Sequence, residues 1–167
     1  MVIKDWILLL VPIIFNGVIM TLLKHNFEIK LKIKHERRTL KQTVFNELLD
    51  LIESLNSSIT DTMLVRHNPD ISVELANINS CQIELHKYYL NKFSVLEDIS
   101  KHYDKFIESW ELFGKQAGLY TDNIRNDELD WAVCHKSRTL YELNNVKISV
   151  ELLIKEVREY NLSHNYT

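Results

Sequence analysis

The chain has 167 residues, a formal net charge of −3, two cysteines and a mean hydropathy of −0.17. That length supports one modest core, and two cysteines cannot form a disulfide framework. With only three Gly and two Pro, glycine-rich phosphate loops and turn-rich β folds are excluded, leaving a helical protein.

The first element is the uncharged run Trp6 to Leu23. At about 1.5 Å per residue it reaches about 27 Å, close to the ~30 Å hydrocarbon core, so it is expected to cross a membrane as one helix. A cleaved signal peptide fits less well, because Thr21-Leu22-Leu23 runs straight into Lys24-His25 with no small-x-small cleavage site. Inside the run, Asn16, Gly17 and Thr21 suit span packing or the lining of an oligomeric pore.

Residues 24–41 form a basic juxtamembrane helix with Lys24, Lys30, Lys32, Lys34, Arg37, Arg38 and Lys41 against Glu28 and Glu36. The positive-inside rule then places residues 1–5 outside the cell membrane and everything after the span in the cytoplasm. These cations are expected at the membrane surface, with anionic headgroups as partner. Twenty of the 23 acids but only twelve of the 20 Lys and Arg follow residue 41, a net −8, so nucleic acid is not an expected partner.

Residues 42–160 are expected to make an elongated antiparallel three-helix bundle with coiled-coil character. Leu40, Val44, Leu48, Ile52, Leu55, Ile59 and Met63 recur three and four apart as the first stripe, which ends before Asn68-Pro69-Asp70. Those three residues are the expected cap, first helical position and first turn of the next helix. The second stripe runs Ile71, Leu75, Ile78, Leu85, Tyr89, Phe93, Leu96, Ile99, Tyr103, Phe106, Trp110 and Phe113. A kink or break is expected near Asn91 to Ser94, and Gly114 and Gly118 are expected breakers. The third stripe is Leu129, Val133, Leu140, Leu143, Val150, Ile154 and Val157, starting from a cap between Thr121 and Asn126. The tail 161–167 is expected to be disordered.

No motif carries chemistry. Cys134-His135 are adjacent on a helix and point about 100° apart, so they do not make a nucleophile and its base. Cys81 reads as a small core residue. Asp98 with His102 and Glu97 with Lys101 read as surface pairs. His35-Glu36 lacks the second His of a zinc helix motif. No catalytic residue, cofactor or metal is expected, and the chain is not expected to be an enzyme. Tyr103, Phe106, Trp110 and Phe113 are the aromatic seam, either bundle core or an interface. The layout resembles small membrane proteins of bacteria or phages in architecture alone. The expected function is a single-pass scaffold or regulatory subunit that recruits a cytoplasmic protein partner or forms a homo-oligomer. The alternative is a membrane-perturbing, pore-forming effector of toxin or defence type.

Overall fold

The computed structural model describes residues 3–126 and 128–165, with side chains for 19–126, 128 and 130–163. It is all helical among these residues: α1 (Ile3–Leu64), α2 (Ser72–Asn91), the single turn α3 (Phe93–Leu96), a 3-10 turn (Glu97–Ile99), α4 (Ser100–Arg125) and α5 (Leu129–Asn165). The chain divides into two compact units, Met1–Lys41 and Gln42–Thr167.

In the first unit the described residues all belong to α1. Among the described residues no helix is long and apolar enough to cross a membrane. Of the run 6–23, only Ile19 to Leu23 have described side chains, so most of the expected span lies outside that set.

The second unit is an antiparallel bundle of four long helices. Ser58 Oγ lies 3.5 Å from Cys81 Sγ while the Tyr88 hydroxyl donates to Val44 O, so α2 runs opposite to α1. The Ile71 amide donates to the Tyr120 hydroxyl and His86 Nδ1 meets the Tyr103 hydroxyl at 3.0 Å, reversing α4 against α2. Ser109 meets Ser149, His102 faces Glu156, and Phe45 stacks on Tyr160, which closes α5 antiparallel to both α4 and α1.

This corrects the three-helix expectation. The segment 71–113 is a hairpin: α2 breaks at Asn91, where a kink or break is expected, and the chain reverses there instead of continuing as the same helix. The reversal comes from short-range backbone geometry: Lys92, Leu96 and Ile99 leave the α region for φ −112°, −100° and −104° with ψ near zero. Leu96 and Ile99 are fully buried at the turn, so apolar burial holds the chain reversed where periodicity alone reads as continuous.

Each helix buries a seam with alternating spacings of three and four. The rows are Phe45, Leu48, Ile52, Leu55, Ile59, Thr62 on α1 and Leu75, Ile78, Gln82, Leu85, Tyr89 on α2. They continue as Tyr103, Phe106, Trp110, Phe113, Ala117, Tyr120 on α4 and Thr139, Leu143, Val146, Val150, Leu153, Val157 on α5. This period of 3.5 residues belongs to left-handed coiled-coil packing. Thr62 and Thr139 tolerate burial because their hydroxyls donate to Ser58 O and His135 O one turn back.

Several element boundaries differ from expectation. Helix α2 begins at Ser72, so Pro69 and Asp70 lie in the preceding loop, where Asp70 Oδ1 accepts from the Ser72 amide and hydroxyl. Gly114 and Gly118 do not end a helix. Helix α4 passes through both to Arg125, carried by buried Phe113 and Tyr120 on either side. Thr121 lies inside α4, its hydroxyl donating to Ala117 O, and Asn126 ends α4 instead of opening α5. On α5, Val133 faces solvent while Ala132, Thr139 and Val146 turn inward, so the buried row is offset from the expected one. Helix α5 continues past Tyr160 to Asn165, with Asn161 Nδ2 donating to Asn46 Oδ1 at 3.1 Å.

Candidate functional site

The aromatic seam is held from both sides of the α2–α4 hairpin. Tyr89 and Tyr103 stack at 3.6 Å between ring centroids, and the row continues through Phe106, Trp110 and Phe113 at 5.6, 6.2 and 5.1 Å. Tyr103, Phe106 and Phe113 are buried and Trp110 is half-buried. Tyr103, Phe106 and Phe113 therefore lie in the bundle core, while Trp110 keeps part of its surface beside a groove between α2 and α4.

Burial pushes the Tyr103 hydroxyl above the ordinary phenol range, with Tyr89 adding to the effect. Tyr88 is raised by burial and by its 2.6 Å hydrogen bond to Glu47 Oε2. Tyr120 is raised chiefly by burial as well, and its hydroxyl accepts from the Ile71 amide at 3.1 Å beside Asp70. Asp70 is held below the usual carboxylate range first by the Ser72 hydroxyl and then by the Ser72 amide. These groups are structural hydrogen-bonding partners. They tie the loop between α1 and α2 to α4, and α2 to α1.

The remaining titratable residues are scattered over the bundle. His102 Nε2 faces Glu156 Oε2 at 3.7 Å, and Asp98 accepts from the Tyr160 hydroxyl, so both residues reach across to α5. Arg158 bridges to Glu53 at 2.7 Å. Cys81 is half-buried against Ser58, and Cys134 is exposed beside the His135 that stacks loosely on Trp131. Among the described residues no group of three or more His, Cys, Asp or Glu could hold a metal ion. Between α2 and α4 lies a groove of ≈ 290 Å³ bordered by Ser72, Ala76, Trp110, Gly114 and Gly118, where the glycines leave open space.

In the first unit the expected membrane-surface residues sit on α1. Lys24, Lys30, Lys32, Lys34 and Arg37 are exposed, while Arg38 and Lys41 are partly covered. Lys24 lies 4.0 Å from Glu28, and the Thr39 hydroxyl donates to His35 O one turn back. At 100° per residue six of these cations fall within an arc of about 140°, and Lys32 lies outside it. Of the residues expected for span packing or a pore, the side chains of Asn16 and Gly17 lie outside those described, and Thr21 is exposed on α1.

Charge dominates this segment in the sequence and hides a second pattern. Ile19, Leu22, Ile29, Ile33 and Leu40 recur at heptad spacing between the lysines and are 38–58% exposed. The three-and-four spacing is present in the sequence, but the residues alternate one by one with Lys30, Lys32 and Lys34 and read first as a charged run. No protein-family model matches this chain, and no curated protein and no solved structure is similar to it.

Proposed function

We propose that the chain is a single-pass, membrane-anchored interaction module. Residues 6–23 cross the cell membrane, residues 24–41 emerge on its cytoplasmic side, and the bundle 42–160 serves as a scaffold or regulatory subunit for a cytoplasmic protein or a second copy. The observation that carries this reading is the uncharged run Trp6 to Leu23 followed at once by seven Lys and Arg on one helix, Ile3–Leu64. The bundle supports a binding role by offering a folded helical surface to a partner. No catalytic activity is assigned to it.

The chain carries its own topology reporter. Asn56-Ser57-Ser58, Asn161-Leu162-Ser163 and Asn165-Tyr166-Thr167 are glycosylation acceptors that work only on the lumenal side. Inserted into microsomes, the chain should resist carbonate extraction and remain unglycosylated. Release by carbonate removes the anchor, and a glycan at Asn161 reverses the orientation. The mass of the detergent-solubilised complex tests the module itself: a lone monomer recovered from its native membrane contradicts it.

A further inference from the structure

We infer that the basic segment of α1 is a docking face for a partner helix whose own apolar seam is flanked by acidic residues. Past the proposed span, Asn26, Ile33 and Leu40 lie at seven-residue intervals with Ile29 and Glu36 at the alternate positions, while Ile19 and Leu22 continue the row back into the span. All seven are exposed. This is the a/d spacing of a two-stranded coiled coil with two polar members, Asn26, of the kind that selects register, and Glu36. A lone helix gains no tertiary packing from such a row, because the row buries its apolar surface only against another helix.

Charge decides between occupants. Past the span, the positions flanking the row are Lys30 and Arg37 on one side and His25, Lys32 and Thr39 on the other. A parallel second copy would set Lys32 against Arg37, which repels. Acidic flanks would instead meet Lys30, Lys32 and Arg37 with attraction.

Exclusion of the bilayer as occupant rests on the anchored reading proposed above. The helix is unbroken through residues 6–41, so it cannot lie flat on the surface it crosses. Arg37 stands about 21 Å along the axis past Leu23, more than two Debye lengths of ~8 Å. Met20, Leu23, Phe27 and Leu31 occupy the opposite side and stop about 12 Å past the span, within reach of the headgroup zone. The Ile19 to Leu40 row continues beyond it.

The test uses the full chain in zwitterionic nanodiscs and two synthetic amphipathic helices of three heptads. Both have Leu and Ile in the seam and one Asn, flanked by Glu in one peptide and by Lys in the other. Fluorescence anisotropy should show binding of the Glu-flanked peptide only, weakening as salt rises. The double substitution Lys32→Glu, Arg37→Glu should weaken that binding about tenfold and create binding of the Lys-flanked peptide, a gain that misfolding cannot imitate. Equal binding of both peptides, or of neither, overturns the proposal. So does a charge reversal that spares peptide binding while lowering retention on anionic vesicles, which would assign the cations to lipid. A dimer of the chain dissociated by Ile29→Asn with Ile33→Asn would place a second copy on the row and overturn the proposal as well. Carbonate extraction is read separately, so loss of the anchor is distinguishable from loss of the docking face.

Discussion

Helix α1 carries two stretches of the same amphipathic spacing with opposite fates. From Phe45 to Ile59 the row Phe45, Leu48, Ile52, Leu55, Ile59 is at most 1% exposed, covered by α2 and α5. From Ile19 to Leu40 the row with the same spacing stays 38–58% exposed at its apolar members, and the described residues of its unit contain no other element. Periodicity therefore defines a face that can be buried. Whether it is buried depends on partners that close over it, and on flanking charges that select them. In the second unit Arg158 reaches Glu53 and Asn161 reaches Asn46, opposite or neutral pairs beside the seam. In the first, one sign predominates along both flanks.

The sharpest way to break this comparison is to truncate one isoleucine in each row. Ile52→Ala should cost about 2–5 kcal/mol in denaturant unfolding of the whole chain, the range for deleting a fully buried aliphatic group. Ile33→Ala should change stability by less than about 0.5 kcal/mol. Similar losses at both positions would mean that the first row is already covered by some other surface.

A smaller effect tests how the second unit closes its own loop. Tyr120 is fully buried and its hydroxyl accepts the Ile71 amide hydrogen bond. Tyr120→Phe keeps the ring and strands that buried N–H, so it should cost about 1–3 kcal/mol by chemical denaturation. Hydrogen exchange at Ile71 should speed up accordingly. An unchanged rate would mean that the loop is held by Asp70 and Ser72 alone.

The smallest effect has the opposite sign. An added Cβ at Gly114 or Gly118 meets nothing within 4 Å, and both lie inside α4. Each Gly→Ala substitution should raise stability by about 0.5–1 kcal/mol, seen as a higher melting temperature, because the unfolded chain loses freedom and the helix loses a poor former. Destabilisation would show that the groove beside them is closed in solution.

Much of the second unit was legible from residue spacing. Val44, Leu48, Ile52, Leu55 and Ile59 are buried in the expected row, as are Leu143, Val150, Ile154 and Val157. The expected aromatic core row holds for Tyr103, Phe106 and Phe113. The candidate interface was not legible there, because those rings are large enough to read as either core or anchor. Only their placement between α2 and α4 decides.

What the sequence by itself determined is an all-helical chain: scarce Gly and Pro, and apolar residues at three-and-four spacing, leave helix as the conformation that satisfies the backbone and forms continuous faces. What only the tertiary structure decided is that there are four helices in the bundle and not three. Three residues near Lys92, Leu96 and Ile99 turn the chain back, and continuous apolar spacing through that turn masks it. The offset of the buried row on α5 was decided the same way. Ala132 and Val133 are neighbours on one helix, and the rotation of α5 against the bundle puts the smaller one inside and the larger one in solvent. Spacing is a property of one helix, whereas reversal and rotation are set by the surface each helix finds opposite.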